Sequence, residues 1–272
     1  MGCALFGVFM SDPVVLEICA DSVESATAAE QGGAHRIELC SNLLEGGVTP
    51  SSGLIATVRD RISIGLYVMI RPRGSDFCYS PDEFEAMEQD VLSAKQLGAD
   101  GVVLGILQED GRVDVPRTRQ LVDLARPLKV TFHRAFDMSR DLGKSLEDVI
   151  ASGVDRVLTS GGEQTVESGL ETVANLTRTA RDRVIIMAGG GVARGNVRSI
   201  VTRTGVREIH ASVRVPVQSR MRHRNEAISM GAIKGREYER LVVMQDRVSH
   251  LLEAATNGVH RTSGVRSSRQ GA

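Results

Sequence analysis

The 272-residue chain is poor in several residue types, and each shortage narrows what the protein can be. It has no tryptophan and only 3% aromatic residues, which leaves few side chains for stacking on bases or sugars. Its net charge of -1 argues against a general nucleic-acid binder, so no nucleic-acid partner is expected. Four cysteines in a chain of this length do not form a disulfide framework, and a reducing, cytoplasmic location is therefore expected.

Long apolar runs are also missing, so we expect no membrane partner. The apolar segment Met1–Met10 is far shorter than a membrane span and lacks the positive residues that open a signal peptide. We expect a disordered N-terminal extension over residues 1–13 and one domain over residues 14–255. Residues 256–272, which are rich in Ser, Gly and Arg, are expected to form a disordered tail.

A repeated signal organises the rest of the chain. Gly-Ala or Gly-Val, then a polar residue and an apolar run, occurs at four places that begin at Gly33, Gly98, Gly153 and Gly205. Glycine in a left-handed conformation ends helices, so each repeat indicates a helix followed directly by a strand. Four further apolar runs lie between the repeats. The eight predicted strands are Val14–Cys19, Arg36–Cys40, Leu66–Ile70, Gly101–Gly105, Leu128–His133, Arg156–Thr159, Val184–Ala188 and Val206–Arg214.

Helix-length amphipathic segments separate these strands, among them Pro81–Leu97, Val115–Ala125 and Thr165–Arg181. Strands that alternate with helices predict a parallel sheet, and eight such units favour a closed barrel, which typically needs about 250 residues. The predicted fold class is therefore α/β, a single-domain (β/α)8 TIM barrel, with a doubly wound open sheet as the alternative. A last helix is predicted over Gly235–Ala255.

The first two strands share an unusual pattern. Leu16-Glu17-Ile18-Cys19 and Ile37-Glu38-Leu39-Cys40 each place a carboxylate and a thiol two residues apart. Because a strand has a period of two, the carboxylate and the thiol of each strand share one face. Burial of an unpaired carboxylate is costly, so this face is unlike that of an ordinary core strand. If the strands are neighbours, both thiols reach the same end of the sheet, which makes Cys19 and Cys40 candidate metal ligands.

Further titratable side chains stand at predicted strand ends, where barrel proteins place their sites. His133 ends the fifth strand and His210 lies in the eighth. Imidazole titrates near pH ~6.5, so either residue can serve as a general acid or base. For each one singly, the alternative is a core histidine bonded to a carboxylate. The candidate catalytic residues are Glu17, Glu38, Arg71, His133, Asp137 and His210, with Glu208 as a further acidic neighbour.

Two features indicate an anionic ligand. Gly189, Gly190 and Gly191 follow the seventh strand, where barrel loops commonly bind phosphate through backbone N–H groups. Arg71 and Arg73 follow the third strand and can bind a carboxylate or a phosphate with two hydrogen bonds. Each feature has an alternative, because tight strand-to-helix turns also need glycine, and Arg71 could neutralise a carboxylate of the first two strands inside the barrel.

The chain resembles the CutC copper-homeostasis family in seven segments, which are, in this order, EICADSVESA, GGAHRIELCSNLLEGGVTPS, MIRPRGSDFCYS, GADGVVLG, TFHRAFDM, RVLTSGG and IIMAGGGV. The resemblance runs from about Leu16 to about Gly231. It implies a (β/α)8 barrel, a cytoplasmic location, a role in copper handling and self-association into a homo-oligomer. The two family cysteines proposed to hold Cu(I) match Cys19 and Cys40. The chain departs from the family at Ser75, where a glycine is usual and a turn with positive φ would be strained.

Two functions follow from these features. The predicted function is Cu(I) binding by the thiolates of Cys19 and Cys40, because soft sulfur ligands select Cu(I) and no CxxC motif indicates a structural zinc site. Free cysteine is also a common core residue, so two buried structural thiols are the alternative for this pair. The alternative function is a TIM-barrel enzyme that applies His and Glu acid–base groups to an anionic small metabolite, phosphorylated or not. No GxSxG elbow, Walker loop or GxGxxG turn suggests a different mechanism.

Overall fold

The computed structural model describes residues 14–231 and 233–256, and the expectations for residues 1–13 and 257–272, with Cys3, lie outside this part of the chain. Eight parallel strands close into a barrel, in which β1 pairs with β2 on one side and with β8 on the other. They are β1 (Val15–Ala20), β2 (Arg36–Leu39), β3 (Gly65–Met69), β4 (Gly101–Leu104), β5 (Lys129–Phe132), β6 (Arg156–Thr159), β7 (Ile185–Ala188) and β8 (Glu208–Ala211).

The helices that alternate with these strands complete a (β/α)8 barrel and confirm the predicted fold. They are α1 (Val23–Gln31), α2 (Ser52–Arg59), α3 (Pro81–Gln96), α4 (Val115–Ala125), α5 (Leu142–Ser152), α6 (Leu170–Ala180), α7 (Val197–Thr204) and α8 (Gln245–Thr256). In the described part of the chain, no helix combines the length and the apolar character that crossing a bilayer requires.

Local signals set the ends of these helices. The Ser80 side chain accepts a hydrogen bond from the Glu83 N–H while Glu83 accepts one from the Ser80 N–H, so α3 begins with a complete capping box. All four glycines of the repeated signal have positive φ, between +73° and +89°. A side chain would be strained in this conformation, which explains why glycine ends the helix before each of these strands.

The two faces of the barrel strands differ in character. Outward-facing residues such as Leu16 and Ile18 belong to the large apolar cluster that includes the buried faces of the helices. Inward-facing Cys19, Cys40 and Met69 form a separate small cluster inside the barrel. The period-two pattern of the first two strands therefore turns the thiols inward, and the apolar residues between them outward.

The predicted last helix is wrong in its first half. Helix α8 begins only at Gln245, and the preceding segment forms a strand, β10 (Glu239–Val243), which pairs antiparallel with β9 (Arg214–Gln218). Two consecutive valines, Val242 and Val243, favour the extended conformation and are buried there. The eighth barrel strand is correspondingly shorter than predicted and ends at Ala211.

Candidate functional site

The two thiols meet inside the barrel, as the strand pattern predicts. Strands β1 and β2 are neighbours, and their register sets Cys19 opposite Glu38. Both thiols are buried and neither forms a disulfide. The ligand atoms of Cys19, Glu38 and Cys40 lie within 4.8 Å of one another, close enough for one metal ion to contact all three. Met69 of β3 packs in the same cluster and adds a third soft sulfur to the surroundings.

The pKa values of the two thiols shift in opposite directions. A hydrogen bond from the Cys40 thiol, supported by His210, lowers the pKa of Cys19 to about 5 against the opposing effect of burial. The same bond, together with burial and the nearby Glu38 carboxyl, raises the pKa of Cys40 well above its ordinary range. At neutral pH the pair therefore consists of one thiolate and one thiol.

His210 of β8 lies between two carboxyl groups. Its Nδ1 is 2.7 Å from Glu17 Oε1, and its Nε2 is 3.8 Å from Glu38 Oε2. Burial opposes a charge on this imidazole, but Glu38, Cys19 and Glu17 together raise its pKa well above the usual value. Burial also raises the pKa of Glu38, to about 8. A protonated His210 thus stands beside the Cys19 thiolate.

Arg36 and Arg156 supply positive charges that pair with the buried carboxylates of Glu17 and Glu208, and the sequence interpretation missed both arginines. Arg36 donates from Nε to Glu17 at 2.5 Å and also bonds Glu208, while Arg156 donates from Nε to Glu208 at 2.5 Å. Burial alone would raise the pKa of Glu17, but Arg36, with help from His210, lowers it to about 2. The Cζ atoms of Arg36 and Arg156 lie 5.2 and 5.4 Å from the centre of the Tyr67 ring. Arg36 has the same parity as Glu38 and Cys40, which is a signal that could have revealed it.

Arg71 does not neutralise Glu17 or Glu38, so that alternative is wrong. Its NH1 donates to the carbonyl oxygens of Glu45 and Gly47, and its NH2 donates to that of Ser75. These bonds hold the loops that follow β2 and β3. The backbone at Ser75 has φ of +68°, which is the conformation expected to strain a serine there.

Arg73 is also engaged within the protein. Its Nε donates to Glu83 at 2.5 Å, and its NH2 donates to Asp76 at 3.1 Å and to the Cys78 carbonyl oxygen at 2.9 Å. The side chain therefore fixes the loop between β3 and α3. Anion binding by Arg73 stays a prediction, and it would require these bonds to be exchanged.

His133 and Asp137 stand apart from the thiol group. His133 is buried at the end of β5, and its Nδ1 accepts the Ala135 N–H at 3.1 Å. Burial, with the positive charge of Arg71, lowers the pKa of His133 to about 3. Asp137 accepts hydrogen bonds from the Thr159 hydroxyl at 2.5 Å and from the Gly162 N–H at 3.0 Å. The predicted catalytic residues thus fall into two groups, and acid–base catalysis by them stays a prediction.

The glycine loop after β7 is a tight turn. Gly190 and Gly191 have φ of +96° and +78°. A Cβ on Gly189 would lie 2.5 Å from Leu158 Cδ1, so this position needs glycine for space. The Gly189 N–H donates to the Thr159 carbonyl oxygen at 3.0 Å. Glycine is therefore explained here by the turn itself, and phosphate binding by the loop stays a prediction.

A cavity of about 530 Å³ opens beside the thiols at the carboxyl ends of the strands. Its lining includes Glu38, Met69, Arg71, Phe77, His133 and Leu158. The side chains of Glu38 and Met69 belong both to this cavity and to the surroundings of the thiols. Barrel proteins place their sites at this end of the strands, and the volume is that of a small-molecule site.

Comparison with known proteins agrees with the fold. The profile of the CutC family matches residues 14–215. A CutC family protein of Chromobacterium violaceum is 50% identical over 240 residues, which cover 88% of this chain and 97% of that protein. The human copper homeostasis protein cutC homolog is 45% identical over 244 residues, which cover 89% of each chain.

A solved structure also agrees with this fold. The crystal structure of CutC from Streptococcus agalactiae superposes with a TM-score of 0.69 at 35% identity, covering 72% of this chain and 97% of that one. A thiamine phosphate pyrophosphorylase from Pyrococcus furiosus, with a TM-score of 0.55 and 17% identity, shares the fold alone. The barrel, the profile match over residues 14–215 and these relatives together show that the chain belongs to the CutC family.

Proposed function

We propose that the protein binds Cu(I) between the thiolates of Cys19 and Cys40. The observation that carries this proposal is the juxtaposition of the two sulfurs with Glu38 inside 4.8 Å, on neighbouring strands of the barrel mouth. Thiolate is a soft ligand that favours Cu(I) over hard cations. The copper homeostasis role named for the human relative supports the same metal.

The charges around the pair suit such an ion. Cys19 is already a thiolate at neutral pH, so only Cys40 must lose a proton when the metal binds. Glu38 Oε2 accepts a hydrogen bond from Cys40 Sγ at 3.5 Å. Two thiolates and one Cu(I) carry a net negative charge, which the protonated His210 offsets.

The proposed place of action is the cytoplasm, where thiols stay reduced. The three cysteines in the described part of the chain are all free, which is the state that binding requires. The self-association implied by the family resemblance stays a prediction.

The test is an anaerobic competition titration with Cu(I) on the wild type and on the double variant Cys19→Ser/Cys40→Ser. We expect a tight single site in the wild type that is absent from the double variant. Cys78→Ser is the matched control, because Cys78 lies in the β3–α3 loop and is not part of the ligand group. Equal affinity in the wild type and the double variant, or no tight site in either, would contradict the proposal. A parallel Zn²⁺ titration reports whether the site prefers Cu(I), and tighter binding of Zn²⁺ would also contradict it.

A further inference from the structure

The cavity beside the thiols contains buried polar atoms that the protein leaves without partners. In residues 14–231 and 233–256, five buried side-chain atoms lack a hydrogen-bond partner, and three of them belong to residues that line this cavity. They are Glu38 Oε1, Arg71 Nε and His133 Nε2, on side chains of residues that are all at least 95% buried. Burial of an unsatisfied polar group is costly, so three in one cavity indicate a ligand that completes them.

The hydrogen-bond pattern fixes what two of these atoms offer. Because His133 Nδ1 accepts the Ala135 N–H, the neutral imidazole carries its hydrogen on Nε2, which is therefore a donor. The NH1 and NH2 groups of Arg71 donate to carbonyl oxygens, whereas its Nε–H has no partner among the described residues. Phe77 contacts both side chains, with Arg71 Cζ 4.9 Å and the His133 ring 5.0 Å from the centre of its ring.

The charge of Arg71 is not matched by the protein around it. No carboxylate of the described residues lies within ion-pair distance of Arg71, whose NH1 and NH2 partners are neutral carbonyl oxygens. Two acidic groups at the rim have their own partners, since Asp137 pairs with Arg134 at 2.7 Å and Asp76 with Arg73 at 3.1 Å, and a third, Glu45, also lines the cavity. A buried guanidinium without a counter-ion favours an anion, and two N–H donors suit the two oxygens of a carboxylate.

We propose that this cavity binds a small hydroxylated carboxylic acid. The carboxylate of the ligand accepts hydrogen bonds from Arg71 Nε and His133 Nε2, and one of its hydroxyl groups bonds Glu38 Oε1. Met69, Phe77 and Leu158 supply the apolar walls that surround the carbon chain. The site is distinct from the thiol pair and does not depend on Cu(I) binding, although Glu38 borders both.

The first test is calorimetric titration of the full chain with L-malate, citrate and D-gluconate as probes. Sorbitol lacks the carboxylate, and hexanoate lacks the hydroxyls. We expect saturable binding of at least one hydroxy acid, weaker binding of hexanoate and no binding of sorbitol. Absence of saturable binding by all three hydroxy acids would overturn the proposal, and so would binding of sorbitol at equal affinity.

The variant His133→Asn tests the donor directly, because asparagine can still accept the Ala135 N–H while the Nε2 donor is lost. We expect the Kd to rise about tenfold, which corresponds to about 1.4 kcal/mol. His35→Asn is the matched control, since His35 Nδ1 also accepts a backbone N–H, from Leu16 at 3.0 Å, but at the opposite end of the barrel. An unchanged Kd in His133→Asn would refute the assignment.

Met138 provides a second variant that does not threaten folding, because this residue lines the cavity and is 69% exposed. Met138→Glu places a negative charge at the rim and is expected to weaken binding severalfold, whereas Met138→Gln leaves it unchanged. Equal affinity in these two variants would count against an anionic ligand. Cys19→Ser/Cys40→Ser should bind the acid as the wild type does, so loss of acid binding and loss of Cu(I) binding are separate outcomes.

Discussion

Removal of Arg36 should destabilise the barrel from its centre. Arg36 is 5% exposed and bonds Glu17 and Glu208, which reach it from the first and last strands of the barrel. In Arg36→Met only Arg156 and the protonated His210 remain to balance Glu17, Glu208 and the Cys19 thiolate, so one buried negative charge is left uncompensated. Breaking one partner of a buried ion pair typically costs about 3–5 kcal/mol.

The pKa of Glu17 gives an independent magnitude. Its lowering from an ordinary 4.5 to about 2 is equivalent to about 3 kcal/mol of stabilisation at neutral pH, and Arg36 is the principal cause of the lowering. Because the folded-state pKa is the lower one, this stabilisation is complete above pH 4.5 and is lost as the pH falls toward 2. The difference between wild type and Arg36→Met should therefore shrink in acid.

Thermal denaturation followed by circular dichroism is the assay. For a chain of this size, a loss of about 3 kcal/mol lowers Tm by roughly 6–12 °C. Arg183→Met is the matched control, because Arg183 forms an exposed ion pair with Glu147 at 2.7 Å and such pairs contribute about 0–1 kcal/mol. Glu17→Gln/Arg36→Met, which restores neutrality, should recover part of the loss. A Tm in Arg36→Met no lower than that of the control would refute the reasoning.

Two further variants probe the interior. Gly101→Ala would place a Cβ 2.4 Å from Tyr67 Cε1 and 2.8 Å from the Lys129 carbonyl oxygen, so we expect the free energy of unfolding to fall by about 1–3 kcal/mol. The control Gly53→Ala, which has open space around it in α2, should not lower Tm. Equal Tm values in the two variants would contradict this expectation. His133, whose pKa falls to about 3 mainly through burial, stays neutral in the folded state while the unfolded state takes up a proton below pH ~6.5. The wild type should therefore lose up to about 1.4 kcal/mol per pH unit between pH ~6.5 and 3 that His133→Asn does not lose, and parallel urea-denaturation curves over this range would show the reasoning to be wrong.

The accuracy of the sequence interpretation followed the range of the interactions concerned. The repeated glycine signal located four helix ends correctly, because a left-handed glycine acts within one turn of its helix. The helix predicted over Gly235–Ala255 was wrong in its first half, because β10 forms only through antiparallel pairing with β9, more than twenty residues earlier. Amphipathic periodicity within the segment carries no information about that partner.

The candidate site divides in the same way. The strand pattern alone predicted that Cys19 and Cys40 share a face with Glu17 and Glu38, and the register of β1 and β2 places both thiols at one end of the barrel. The strand pattern did not reveal that Arg36 is the counter-ion of Glu17, although Arg36 faces the same side of β2 as Glu38.

The sequence by itself determined the elements, their order and the inward direction of the thiols, because the periods of strands and helices and the terminating glycines act locally. Only the tertiary structure decided which charges pair. Closure of the barrel sets β8 beside β1, so His210 and Glu208 reach partners more than 170 residues away in the chain. The tertiary structure also pairs Arg71 with backbone carbonyl oxygens. It leaves Arg71 Nε, His133 Nε2 and Glu38 Oε1 without a hydrogen-bond partner at one cavity. Such pairings depend on distances across the closed barrel, and no local pattern encodes them.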